Sequence, residues 1–200
     1  MLSTSTMLAG SPFRFRTVAS WTSAIGSELE PAKDYKHVQL NDARLVNIRP
    51  IVASDLPALR AFFAALSGAT RRLRFHSSTN EISEPLLREF TMINHRTLAF
   101  VAETHDGAVD QPATIVAEAR YVRTADSESA EFALVVADNW RRIGLGTTLT
   151  RVLAQCARFA GVLRLCGDVL EDNKAMRGLA RSLGARLSRG VGCLRVSLEA

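Results

Sequence analysis

The order of elements legible in this 200-residue chain predicts a mixed α/β fold, a mixed sheet with helices on both faces. Three observations carry that expectation. Two short alternating strands open the patterned part of the chain, apolar stripes at helical spacing follow, and strands and helices then alternate to the end. The length suits one domain with a real core, and there is no internal repeat.

His37 to Leu40 and Arg44 to Ile48 alternate, with Asn41-Asp42-Ala43 between them, so they read as a hairpin that Arg49-Pro50 stops. Ser54 and Asp55 are expected to cap a helix whose inner stripe is Leu56, Leu59, Phe62, Phe63 and Leu66, ended by Ser67-Gly68. A short helix follows over Thr70 to Phe75. Ser83-Glu84-Pro85 opens a third, with Leu86, Leu87, Phe90 and Met92 facing inward. Leu98 to Val101, Thr114 to Val122 and Ala130 to Val136 read as strands, separated by a loop at 106–112 and a turn at Ala125-Asp126-Ser127. Leu145 begins a helix with Leu149, Val152, Leu153, Cys156 and Phe159 as its stripe, and Gly161 ends it. Val162 to Val169 is a buried strand. Asp172 or Asn173 caps a helix ending near Gly184, and Ala185–Leu187 and Cys193–Leu198 close the sheet around Gly190-Val191-Gly192.

Composition is that of a soluble globular protein, 47% hydrophobic and 22% charged. The net charge of +5 is almost all arginine, since Lys33, Lys36 and Lys174 are the only lysines. That bias fits either a GC-rich coding sequence or a phosphorylated ligand held by arginine forks. Arg71, Arg72 and Arg74 cluster without interleaved aromatics or a nucleic-acid motif, so no nucleic-acid partner is expected. Cys156, Cys166 and Cys193 form no paired motif and point to a reducing, cytoplasmic setting. No apolar run spans a membrane, and no metal-ligand spacing occurs. Residues Met1 to Gly26 hold no acid and many Ser and Thr. Residues 1–35 are therefore expected to be a poorly ordered leader, with a transit peptide as the alternative, and 36–200 to be the domain.

The segment that carries chemistry runs from Val136 to Thr147. A strand enters Arg141-x-x-Gly144-x-Gly146, which leads directly into a helix. Glycines let backbone approach a ligand, the first helical amides have no internal partners, and the helix dipole adds positive charge. Such a turn suits a pyrophosphate. Taken alone it reads equally well as a tight structural turn, and it is neither a P-loop nor a dinucleotide fingerprint.

The arrangement resembles the Q/R-x-x-G-x-G/A signature of GNAT (GCN5-related) N-acetyltransferases. Leu170-Glu171-Asp172-Asn173-Lys174-Ala175-Met176 resembles that family's second conserved segment. The resemblance covers about Val38 to Leu198. Arg72 to Phe75, Ile93-Asn94-His95 and Ala130 to Ala133 make it most similar to the acetyltransferase domain of bacterial Pat-type protein lysine acetyltransferases. It implies a central, mostly antiparallel twisted sheet and acetyl-CoA as co-substrate, with no metal. Arg141, Arg142, Ile143, Gly144, Leu145, Gly146 and Thr147 would bind the diphosphate. Leu134, Val135 and Val136 would pair with the pantetheine arm, and Asn173 would sit near the thiol, with Met176 in the core. The acceptor implied is an amine, a protein lysine before a small amine, attacked in a ternary complex. A non-catalytic acyl-CoA sensor and a homodimer stay open.

Acetylation of an amine needs a base, a donor to the thioester oxygen and a leaving thiolate. Glu131 is the candidate base: a carboxylate in an apolar strand is costly unless paired or functional, and burial would raise its pKa. The alternative is an exposed glutamate paired with Arg120 or Arg123. The resemblance places the family's glutamate at this position. It also expects an amide freed by a bulge near Val135 or Val136 as the oxyanion donor. Tyr121, His76 and His95 are weaker candidates for proton transfer.

Overall fold

The computed structural model describes residues 36–77, 82–105, 113–125, 128–190 and 193–200. The leader, the loop at 106–112, Asp126-Ser127 and Val191-Gly192 lie outside the described residues. Eight strands form one sheet: β1 (Lys36–Gln39), β2 (Leu45–Pro50), β3 (Thr97–Thr104), β4 (Thr114–Arg123), β5 (Ser129–Val136), β6 (Arg164–Val169), β7 (Arg186–Arg189) and β8 (Leu194–Glu199). Their order is β1-β2-β3-β4-β5-β6-β8-β7. Every neighbouring pair is antiparallel except β5 and β6. The five α-helices among the described residues are α1 (Leu56–Ala65), α2 (Gly68–Phe75), α3 (Glu84–Phe90), α4 (Leu145–Phe159) and α5 (Lys174–Ser182). None is long and apolar enough to cross a membrane.

Strand alternation divides the core in two. On one face Leu149, Val152, Leu153 and Cys156 of α4 pack against Phe100, Ala119, Tyr121 and Phe132. On the other, Leu59, Phe62 and Phe63 of α1 and Leu87 and Phe90 of α3 cover Ala99, Val101, Ile115 and Val135. The rings of Phe63, Phe75 and Phe90 meet there, with centroids 5.6 to 6.2 Å apart.

Three local expectations are corrected. Asp55 does not cap α1: its carboxylate takes two bonds from Arg49 (2.6 and 2.8 Å) and one from the Val52 amide. Arg49 also grips Glu103 at 2.7 Å, and the resulting ion triad lies almost wholly buried. Burial alone would lower the Arg49 pKa, but its bonds to Asp55 and Glu103 outweigh that and raise it. Met92 falls past the end of α3 and is exposed, as is Phe159 at the last turn of α4. Helical spacing places a residue on a face but does not say where the covering layer ends.

Candidate functional site

The parallel pairing of β5 with β6 lasts for three residues, Ser129↔Arg164, Ala130↔Leu165 and Glu131↔Cys166. Beyond it β5 runs on to Val136 and β6 to Val169, and the two separate. Gly167 stands at the fork, where a Cβ would come within 3.0 Å of the Phe132 carbonyl oxygen. The gap opens into a cavity of about 550 Å³.

The phase of the neighbouring ladder decides which peptide groups face that gap. Ala137 donates to the Val116 carbonyl and Thr124 to that of Ser129, both at 2.9 Å and in the same register. Odd-numbered β5 residues therefore bond to β4. Phe132, Leu134 and Val136 turn their N–H and C=O groups the other way, the Phe132 amide onto the last rung with β6 and the amides of Leu134 and Val136 towards the gap. The expected bulge is not the source of these groups, because the β4–β5 register runs unshifted from Ala117↔Val136 to Arg123↔Ala130. Separation from β6 frees the amides of Leu134 and Val136 instead. Val135, expected beside them, is bonded to β4 through its backbone and buries its side chain against α1 and α3.

The glycine loop closes one end of the cavity. Gly144 has φ +91° and Arg142 φ +61°, both left-handed. Thr148 makes the first backward bond of α4, to Gly144 at 3.0 Å. The amides of Leu145, Gly146 and Thr147 thus form its unpaired opening turn. Gly146 seats this turn close to its neighbours: a Cβ would lie 3.4 Å from Leu134 and 3.7 Å from Leu179.

Two supports hold the loop. Behind it, the hairpin turn of β1 and β2 brings Asn41, whose amide bonds the Ile143 carbonyl at 3.1 Å. Arg44 donates to the Asn139 carbonyl and lies 4.1 Å over the Trp140 ring. In front, Asp138 accepts from the Ser67 amide (3.1 Å) and from the hydroxyls of Ser67 (3.1 Å) and Thr70 (2.6 Å). Burial opposes ionisation of Asp138, but the bonds from Thr70 and Ser67, with Arg141 nearby, hold its carboxyl below the usual range. Arg141 donates to Thr70 Oγ1 (2.6 Å) and to the Val136 carbonyl (3.2 Å). Its guanidinium is therefore a strut between loop and α2, while Arg142 is exposed; both line the cavity.

At the far wall Asn173 caps α5, its side-chain oxygen accepting from the Met176 amide at 3.0 Å. Met176 is half-buried and lines the cavity as well as touching the core.

Glu131 is not buried. Its side chain is 66% exposed and lies 3.8 Å from Arg195 of β8, not beside Arg120 or Arg123. Arg195 also donates to Asp168 at 3.0 Å, which raises its own pKa. Arg120 is buried under α3, where it bonds Glu118. The apolar strand suggested burial for Glu131 because the sequence does not show that α1, α2 and α3 leave this part of the face uncovered. His76 lines the cavity and His95 is exposed elsewhere. Tyr121 is buried against α4, where burial pushes its phenol pKa up.

The sequence reading missed Asn41, Thr70, Gly167 and Asp168 as parts of this site. Only Gly167 carried a signal, a lone glycine inside a strand. Among the described residues no group of His, Cys, Asp and Glu is placed to hold a metal ion, and none of the three cysteines is in a disulfide.

Comparison with known proteins agrees with this geometry. The model of the Acetyltransferase (GNAT) domain matches residues 45–186. Acetyltransferase PA5475 of Pseudomonas aeruginosa is 35% identical over 147 residues, 72% of this chain and 77% of that protein. Acetyltransferase Pat of Mycolicibacterium smegmatis is 31% identical over 152 residues, 74% of this chain. The match spans only 43% of that longer protein. Among solved structures, the GNAT domain of S. lividans PAT superposes with a TM-score of 0.77 at 25% identity, covering 86% of this chain and 100% of that one. A strand pair forking onto a glycine loop, the family model and these relatives agree: the chain is an acyltransferase and belongs to the GNAT acetyltransferase family.

Proposed function

We propose that the chain transfers the acetyl group of acetyl-CoA to a protein lysine by direct attack, with both substrates bound together. One observation carries this reading: β5 leaves β6 after Glu131 and delivers free peptide groups, in line, to the opening turn of α4. An extended amide-bearing arm ending in a diphosphate fits that line. The arm pairs with the exposed edge at Leu134 and Val136, and the amides of 142–147 hold the diphosphate at the helix N-terminus. A side chain at Gly144 or Gly146 would crowd Asn41 or Leu134.

Acetyl-CoA supplies the activated acyl group. Inward-facing amides such as those of Leu134 and Val136 stabilise charge on the thioester oxygen as the amine attacks. Asn173, at the start of α5, orients the thiol end. Glu131 removes the proton of the attacking amine, directly or through water, as the new C–N bond forms and the C–S bond breaks. Its exposure suits an acceptor carried on a protein surface. Three cysteines outside any disulfide accord with a cytoplasmic setting.

The experiment is acetylation of a cell lysate with labelled acetyl-CoA, followed by mapping of the label. Label on protein lysines, lost with a Gly144→Trp variant that no longer binds acetyl-CoA, supports the reading. Label confined to small amines selects the second member of the same class, and equal affinity for ATP and CoA rejects the site.

A further inference from the structure

Beneath α2 the protein buries three charged groups that acetyl transfer as described does not use. Glu118 of β4 is 0% exposed. Arg120 donates to one of its oxygens at 2.5 Å and to the Phe90 carbonyl at 2.8 Å, and its guanidinium lies 3.9 Å from the Phe90 ring centroid. Glu118 and Arg120 thus form a balanced pair with strong partners.

Arg74 of α2 is the surplus. Its side chain is 10% exposed, and it reaches the second Glu118 oxygen only at 3.5 Å. Its Nε is buried with no hydrogen-bond partner. The guanidinium rests near the rings of Phe75 and Phe90, at 5.0 and 5.6 Å, which give it no countercharge. Among the described residues one carboxylate therefore faces two guanidinium groups, and the cluster carries one uncompensated positive charge in a nearly dry place. Burial, only partly offset by Glu118, pulls the Arg74 pKa down. An unpaired buried charge is among the most costly features a fold can keep.

Arg74 also lines the cavity, together with Leu73 and His76 of the same segment and Ala133 and Val135 of β5. This is the α2 wall, not the α4 and α5 wall where the glycine loop lies. The opposite rim carries Asp168, held by Arg195. The cavity lining thus carries one carboxylate on β6, paired with Arg195, and a spare guanidinium under α2.

We infer that Arg74 forms an anion subsite that takes a carboxylate carried by the acceptor beside the amine to be acetylated. The amine end then lies towards Glu131 and Asp168, and the carboxylate end completes the charge balance of Glu118, Arg120 and Arg74. The carboxylate has two sources, an acidic side chain next to a lysine in a protein or the α-carboxylate of a free amino acid. This inference rests on the acetyl-transfer reading and narrows it to a class of acceptor.

The test compares wild type with Arg74→Met and Arg74→Lys. Arg74→Met removes the surplus charge and keeps the bulk, so the Glu118–Arg120 pair stays balanced and the fold is retained. The probes are a blocked peptide with glutamate beside its lysine, the same peptide with glutamine there, and a free amino acid with its amide. Each is followed by turnover and, separately, by equilibrium titration, so that binding is read even where no acetyl moves. For Arg74→Met the glutamate peptide is expected to lose on the order of tenfold in KM and Kd. The glutamine peptide and acetyl-CoA change less than about twofold, and Arg74→Lys recovers part of the loss. Discrimination seen only with the free amino acid assigns the subsite to an α-carboxylate. Equal loss on charged and neutral probes, or no loss, overturns the inference. Turnover absent on every amine with Arg74-dependent binding intact would sink the acetyl-transfer reading and leave the subsite standing.

Discussion

Gly167 lies so close to Phe132 that a Cβ on it would come within 3.0 Å of the Phe132 carbonyl oxygen. The contact is to backbone, so the strand itself has to give. Two strands part immediately beyond this point, and the glycine sets how narrow the fork is at its root. Gly167→Val is expected to shift β5 against β6 and weaken acetyl-CoA binding by about tenfold or more, with overpacking of about 1–3 kcal/mol. Calorimetric titration and a melting curve read both effects. An unchanged Kd in a destabilised variant would separate the fork from the cofactor site.

Gly144 and Asn41 are coupled in the same way from opposite ends of the chain. A Cβ at Gly144 meets Asn41 Oδ1 at 3.3 Å, and φ is +91°. Gly144→Ala is expected to cost about 1–2 kcal/mol from the left-handed backbone alone. The clash adds to that. Asn41→Gly removes the clash but not the dihedral strain, so the double variant should be more stable than the sum of the two single losses predicts. Denaturant unfolding of the four proteins measures that coupling. Strict additivity would mean that the Asn41 side chain does not crowd a Cβ at position 144.

Legibility followed sequence distance. The glycine loop, the strand before it and the cap at Asn173 are local patterns, and each fell at its expected place. Asn41, Thr70 and Asp168 reach the site through tertiary packing, which no local period encodes. Glu131 shows the limit from the other side: alternation placed it on the correct face of β5. Whether that face is covered depends on where α1, α2 and α3 stop, and its partner Arg195 is 64 positions away by numbering. The bulge expectation failed for a related reason. Free amides arise from the length of the β5–β6 pairing, which depends on both strands together.

Asp138 ties the loop to the start of α2, and its folded-state pKa is lowered by Thr70, Ser67 and Arg141 against the opposing effect of burial. A depressed carboxylate contributes stability that is full above its unfolded pKa of about 4. That contribution disappears as pH falls through the folded value. Wild type should therefore melt above Asp138→Asn at pH 7, and the two curves should converge below about pH 4. The carboxylate is 44% exposed, so solvent screening keeps the difference small. A gap that widened towards acid would reverse the sign and reject the assignment.

Glu131→Gln tests the proposed base. The residue touches neither the glycine loop nor the α4 turn, so acetyl-CoA binding should be unchanged. kcat should fall by about 10²-fold or more, most severely below the pKa of the acceptor amine, where a proton has to be removed before attack. At high pH, where free amine is abundant, the deficit should shrink. A loss equal at every pH would give Glu131 a role in binding or shape, and full activity throughout would remove it from the mechanism.

Arg49 offers a test of what holds the α1 entry. Among the described residues it is the single cation between Asp55 and Glu103, with bonds of 2.6 to 3.0 Å to both. Arg49→Met leaves two buried carboxylates facing each other without compensation. Breaking a buried pair from one side typically costs about 3–5 kcal/mol. Most of that comes from the stranded charges rather than from the lost attraction. Neutralising them should therefore recover stability: Arg49→Met combined with Asp55→Asn and Glu103→Gln should unfold at higher denaturant than Arg49→Met alone, although it carries three substitutions. The side-chain amide introduced by Asp55→Asn keeps an oxygen that can accept from the Val52 amide, so the turn before α1 survives. If the triple variant is instead the least stable, the bonds themselves dominate over the charge balance.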